Sequence, residues 1–135
     1  MKWLVDTNTI IYAYRGHAGI RDKLAQTNRD NLFFSAVVLF ELEVGCAKSS
    51  NSTRLRRFVD DVLQRSTFLD LNAASATEAA LARAHLERQG RPIGACDLLI
   101  AGTALAHALT VVTRNVGEFT RVPGLRVVNW HDETA

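Results

Sequence analysis

The chain has 135 residues and a mass of 14.9 kDa; 47% of it is hydrophobic, 22% is charged, and it holds only two prolines. That length suits one domain with an apolar core, expected to span residues 1–135, and the composition excludes a disordered chain. The formal net charge of +2 is too small to announce by itself the strongly basic surface of a dedicated nucleic-acid binder.

Residues 2–5 (KWLV) form a short apolar run ended by Asp-Thr-Asn, which reads as a buried strand leading into a polar turn and a helix from about residue 8. Asp6 then sits at a strand's C-terminal tip. The same Asp interrupts the apolar N-terminal stretch in a way no secretory leader would, and no apolar run reaches membrane-spanning length. A cytoplasmic protein is expected.

Residues 19–28 look helical, and Leu32–Phe34 followed by Ser35 reads as a second strand meeting a helix cap. The next helix, residues 36–48, carries Glu41. A turn at 51–53 precedes an amphipathic helix with Leu55, Phe58, Val59 and Val62 on one face, so Arg54, Arg56 and Arg57 read as its solvent side. TFLDL at 67–71 is expected to be a third strand, Ala73–Gln89 a long Ala-rich helix stopped at Gly90, and 95–108 a helix with Asp97 in its first turn. TVVT at 110–113 and LRVV at 125–128 complete the series as a fourth and fifth strand.

Strands alternating with helices predict an α/β fold, with a mostly parallel sheet of four to five strands covered on both faces. In such open sheets ligands bind outside the carboxyl ends of the strands. That rule selects Asp6 and the Thr113-Arg114-Asn115 turn.

Most of the fourteen acidic residues lie in helical surface stretches, where a solvated charge needs no special account. Asp6, Glu41 and Asp97 do not: each is embedded in an apolar run (LVD, AVVLFELEVG, IGACDLLIAG). An acid in such surroundings costs free energy unless hydrogen bonds or a cation compensate. A shared divalent ion, Mg²⁺ or Mn²⁺, accounts for all three, since hard ions take carboxylate oxygens and retain waters for a substrate phosphate. The implied chemistry is phosphodiester hydrolysis. Local alternatives stay open at each position: Asp6 can serve as a helix N-cap, Asp97 as a first-turn acid favoured by the helix dipole, and Glu41 as an edge-of-helix charge.

Thr7, Asn8, Ser35 and Thr113 flank these acids and can hold them by hydrogen bonds. The four histidines, His17, His85, His107 and His131, show no spacing of a zinc site or catalytic pair and read as surface residues. Cys46 and Cys96 match no zinc or redox motif and read as buried thiols. Thirteen of the sixteen basic residues are Arg, a type suited to bidentate phosphate contacts; Arg15, Arg91 and Arg114 lie nearest the acidic motifs. Aspartate phosphotransfer is excluded on pattern: the third position of a D-x-D is Asn8, and no acidic pair follows the first strand.

These residues carry a family likeness. The chain resembles the PIN-domain ribonucleases, and within them the VapC toxins of bacterial toxin-antitoxin pairs, through VDTNTIIYAYRG, SAVVLFELEVGCAKS, RQGRPIGACDLLIAGTALAHALTVVTRNVGEF and VPGLRVVNW. The resemblance implies a three-layer α/β/α fold, with Asp6, Glu41 and Asp97 as the first three family acids. Many relatives have Asp at the fourth; here Asn115 stands there, with Glu118 three residues later, so either fills that position and one ion is the safer expectation. Also implied are Mg²⁺ or Mn²⁺ dependence, endonucleolytic RNA cleavage, neutralisation by a cognate VapB-type antitoxin and a homodimer. The enteric group that it resembles most acts on the anticodon stem-loop of initiator tRNA. The competing function is an RNA-binding scaffold that keeps the fold without the chemistry.

Overall fold

A computed structural model defines the architecture and describes residues 1–132. Five strands, β1 (Trp3–Val5), β2 (Leu32–Ser35), β3 (Thr67–Leu69), β4 (Thr110–Val112) and β5 (Arg126–Val128), form one sheet in the order β3-β2-β1-β4-β5. Every pairing is parallel. Parallel neighbours need crossover connections, and helices supply them: α1 (Thr7–Tyr14) and α2 (Ala18–Gln26) after β1, α3 (Ala36–Lys48) and α4 (Ser52–Gln64) after β2, α5 (Ala73–Arg88) and α6 (Ala95–His107) after β3, and α7 (Val116–Phe119) after β4. The result is a three-layer α/β/α fold.

The three inner strands are the most apolar because both their faces are covered. Leu4, Val5, Phe34, Val111 and Val112 are each no more than 1% exposed, and they pack with Ile10, Val38, Leu42, Ile100 and Phe119 in one continuous core. Helix α4 turns Leu55, Val59 and Val62 inward with Phe58 packed beside them, as its periodicity predicts. Among the described residues no helix is long and apolar enough to cross a membrane.

Strand ends fall short of their apolar runs for a geometric reason. The last pair between β2 and β3 is Ser35 with Leu69, and Ser35 is also the N-cap of α3, its Oγ accepting from the Val38 N–H at 3.2 Å. Once β2 has turned into a helix, Asp70 and Leu71 have no partner strand. The segment expected as helix 19–28 stops at Gln26, because the Asn28 side chain accepts the Asp30 N–H at 2.8 Å and starts a 3₁₀ turn. Helix α7 has no counterpart in the sequence reading; Phe119, fully buried, is its only anchor in the core.

Helices α5 and α6 approach closely at Gly102. A Cβ there would lie 2.4 Å from the Ser75 carbonyl oxygen and 2.7 Å from the Cβ of Ala79, both on α5. Gly102→Ala therefore reverses the usual rule that Ala stabilises a helix by ~1 kcal/mol over Gly. Because backbone opposes the new methyl, overpacking of up to about 3 kcal/mol outweighs that gain. A fall in unfolding temperature of about 8 °C is expected by calorimetry; an unchanged or higher value would refute the close approach.

Candidate active site

The strand order turns at β1: the chain runs outward from β1 to β2 to β3, then returns to add β4 and β5 on the other side. The crevice of such a sheet opens where neighbouring strands send their crossovers to opposite sides, at the carboxyl ends of the strands. Here those ends are Val5 of β1 and Val112 of β4, which are in register. The next residues out are Asp6 and Thr113.

Asp6 is only 4% exposed and Thr113 fully buried. The Asp6 N–H continues the ladder by donating to the Val112 carbonyl at 3.0 Å. One carboxylate oxygen, Oδ1, caps α1 by accepting the Thr9 N–H at 2.9 Å, and the other, Oδ2, accepts from the Thr113 hydroxyl at 2.5 Å. Thr113 Oγ1 in turn accepts the Asn115 N–H at 2.9 Å. Capping is thus a real role of Asp6, but it occupies one oxygen only. Burial raises its pKa above the ordinary carboxylate range, against the lowering pull of the Thr113 and Thr9 hydrogen bonds, and the Glu41 charge adds to the rise.

Glu41 reaches this crevice from the half-buried face of α3, where the Thr7 hydroxyl donates to its Oε1 at 2.6 Å. Thr7 is the first residue of α1, so one helix start fixes two acids: Asp6 through its cap and Glu41 through Thr7. Asp97 enters from the first turn of α6. Its pKa is pushed up to about 6, first by burial, then by the charges of Glu118, Asp6 and Glu41, and least by a side-chain hydrogen bond with Glu118. Helix α7 supplies Glu118, one turn beyond the Asn115 cap.

Four carboxylates from four elements therefore face one crevice. Among the described residues no Lys or Arg forms an ion pair with any of them, and no three acid, imidazole or thiol groups are drawn to the mutual distances of a formed metal centre. Negative groups crowded without a counter-charge respond by holding protons. The Cys96 thiol, beside them on α6, behaves the same way: burial raises its pKa, with Glu41 and Asp97 adding to it.

The remaining predicted positions fall in different places. Asn8 is exposed on α1 and Asn115 half-buried at the head of α7. Ser35 is spent on capping α3. Arg15 caps the far end of α1, about 13 Å along the helix from Asp6 at 1.5 Å per residue. Arg91 is exposed in the link before α6. Arg114 lies directly beside Thr113, its guanidinium carbon 5.4 Å from the centre of the Tyr12 ring. Arg56 is not free on its helix face but pairs bidentately with Glu43. The histidines are not surface residues either; all four are half-buried. His17 uses Nδ1 to accept the Ile20 N–H at 3.2 Å, capping α2, and His131 packs edge-on to Tyr12 at 4.8 Å. Capping by an imidazole and contact between residues so far apart have no sequence pattern. Cys46 is buried and Cys96 half-buried, neither in a disulfide.

A parallel three-layer sheet with an acidic crevice at its turning point is the arrangement of a PIN domain, and the PIN domain family matches residues 3–125. The chain is 38% identical over 131 residues to the tRNA(fMet)-specific endonuclease VapC of Shigella flexneri, covering 96% of this chain and 98% of that protein. Among solved structures, the DNA-bound VapBC of Salmonella typhimurium superposes with a TM-score of 0.89 at 35% identity, covering 96% of this chain and 98% of that one. VapBC2 of Rickettsia felis, bound to a promoter DNA fragment, gives a TM-score of 0.86 at 32% identity, over 96% of this chain and 99% of that one. The chain belongs to the VapC ribonuclease toxins of the PIN-domain family.

Proposed function

We propose that the chain is a Mg²⁺- or Mn²⁺-dependent endoribonuclease whose centre is the crevice of Asp6, Glu41, Asp97 and Glu118. The observation that carries this reading is the gathering of these acids with no Lys or Arg paired to them among the described residues; burial first, and then the charges of Glu118, Asp6 and Glu41, hold Asp97 up to about 6. Protons relieve that crowding at low pH; at neutral pH a hard divalent cation is the partner that suits an all-oxygen donor set. Asp6 and Asp97 are the principal holders, with Glu41 and Glu118 completing the set and Asn115 able to hold a water.

When bound, the cation supplies an activated water and neutralises charge on the phosphoryl and leaving oxygens. The chain's own residues do the rest. The Thr9 N–H and Thr113 hydroxyl lock both Asp6 oxygens in place, the Thr7 hydroxyl orients Glu41, and the first turn of α6 places a favourable dipole behind Asp97. Asp97, held up to about 6 chiefly by burial, is mainly ionised at neutral pH and so able to take part in holding the cation.

The similarity to a tRNA(fMet)-specific endonuclease supports initiator tRNA as the substrate, and a cut in its anticodon stem-loop is proposed on the family resemblance alone. The likeness to VapBC complexes supports a cognate VapB-type antitoxin as the partner; a homodimeric toxin is proposed on the family resemblance alone. An antitoxin Arg or Lys that entered the acidic crevice would pair with the carboxylates and compete with the cation.

The test is cleavage of initiator tRNA, elongator tRNAs and an unstructured RNA with Mg²⁺, Mn²⁺ or EDTA. Cleavage in EDTA would sink the metal reading, equal cleavage of all three RNAs the substrate reading, and metal-replete protein that binds but never cuts would favour a scaffold. Thr113→Val tests the support of Asp6. It removes the strongest hydrogen bond to that carboxylate at nearly constant shape, and a loss of support of this kind typically costs about 10- to 100-fold in rate. The acidic limb of the rate profile should also move to higher pH, because Asp6 ionises less readily without its donor. Thr113→Ser, which keeps the hydroxyl, should restore both.

A further inference from the structure

Outside the carboxylates, the structural feature with no role so far is the cluster around Arg114. This Arg is exposed, yet it is held: its guanidinium lies over the Tyr12 ring and its Nη1 donates to the Tyr12 hydroxyl at 3.4 Å. Tyr12 is braced from another side by His131, and the His131 ring lies 4.2 Å from that of His17. Three aromatic rings from α1, the α1–α2 link and the chain after β5 thus serve to keep one exposed cation in place. A guanidinium stacked on a ring has already lost much of its rotamer freedom, so it binds an anion with less further ordering.

Its position is as informative as its order. Arg114 follows Thr113, whose hydroxyl is bonded to Asp6, so its backbone adjoins the acidic crevice while its guanidinium is held outside it on Tyr12. An acidic centre repels a polyanion, and affinity for RNA must come from cations at its rim. The corner also holds an anion of its own. The Asp132 carboxylate takes the Asn129 amide at 2.8 Å and lies 3.0 Å from His131 Nδ1. The hydrogen bond from His131 chiefly, with Arg114 and Asn129 assisting, keeps its pKa below the usual range. Asn129 and His131 thus hold a carboxylate within electrostatic reach of Arg114.

We propose that Arg114, stacked on Tyr12, is the anchor for an RNA backbone phosphate at the rim of the acidic crevice, and that Asp132, held nearby by Asn129 and His131, weakens this anchor through its negative charge. The proposal rests on the nuclease reading for its substrate. Arg114 touches the RNA; Tyr12 is a positioning residue that acts through Arg114.

The test is steady-state cleavage of a fluorogenic RNA by the full chain with Mn²⁺ across a salt series, together with filter retention of the same RNA. Arg114→Ala should raise KM about tenfold, as expected for loss of a charge-assisted contact, with kcat within about twofold. The slope of log affinity against log salt should become shallower by about 0.7, the share of one phosphate on a single strand. Tyr12→Phe, which keeps the ring face, should stay near wild type. Tyr12→Ala should match Arg114→Ala, and the double variant should be no worse than either alone. Asp132→Asn should lower KM, a gain that misfolding cannot produce. Unchanged KM and salt slope in Arg114→Ala, or a raised KM in Asp132→Asn, overturns the anchor even if wild-type cleavage proves metal-dependent. RNA retention that depends on Arg114 in a chain that does not cleave upholds the anchor and overturns the nuclease reading. A wild-type chain that neither cleaves nor retains RNA overturns both.

Discussion

Asp6→Asn and Asp97→Asn are each expected to lower the rate of RNA cleavage by about 10³-fold or more, while the protein remains folded. Each substitution keeps the side chain's shape and one acceptor oxygen and removes one negative charge from the crevice. Ion-assisted phosphodiester cleavage draws several kcal/mol of transition-state stabilisation from the cation. About 4 kcal/mol of that corresponds to about 10³ in rate. The fold should survive Asp6→Asn because the new side-chain amide can still accept the Thr9 N–H through its oxygen, while the Thr113 hydroxyl can rotate to accept from its NH₂ group. Glu41→Gln should lose less, about 10- to 100-fold, because Gln retains the acceptor for Thr7 and Glu41 is less buried than Asp6. Initial rates in saturating Mn²⁺, with circular dichroism as the folding check, decide the matter. Rates within tenfold of wild type for either Asp variant would remove that residue from the centre.

The two positions differ in what made them readable. Asp6 stands out because an acid follows an apolar strand directly, and Asp97 because an acid interrupts an apolar helix start; both are local patterns, and both lie at the carboxyl end of the sheet as open-sheet geometry requires. The alternation of strands and helices likewise carries the fold, since a buried parallel strand leaves an unmistakable apolar run. Glu118 is different. It rides on a four-residue helix, shorter than the span over which hydrophobic periodicity is a signal, so the sequence offered it only as one of two candidates for a fourth position. Arg15 shows the reverse error of proximity: near Asp6 in sequence, it is carried to the other end of α1 by the helix itself. The brace of Tyr12 and His131, and the approach of Gly102 to Ser75, join residues distant along the chain. No window of sequence contains such contacts.

Removal and return of the divalent ion should move stability in a direction fixed by the same acids. Asp97 has its pKa raised from an ordinary 3.8 to about 6, and Asp6 is also raised, mainly by burial in both cases. For a group whose pKa is higher in the folded state, the folded protein binds the proton more tightly than the unfolded chain. The stabilising contribution is therefore complete below about pH 4 and is lost as the pH rises through about 6, the range set by Asp97. Chelator-stripped protein should accordingly lose unfolding temperature between pH 4 and pH 7 from this source. A cation binds the ionised carboxylates and so competes with those protons; its effect must grow over the same interval. At 100 times its dissociation constant it adds about 2.7 kcal/mol, or about 10 °C in unfolding temperature for a chain of this size. Mn²⁺ should thus raise the midpoint by about 10 °C at pH 8 and by much less at pH 5. Asp97→Asn should flatten the acid-to-neutral decline of the stripped protein and remove most of the Mn²⁺ shift. An equal shift at both pH values, or a full shift in Asp97→Asn, would mean that the ion binds somewhere other than the carboxylate crevice.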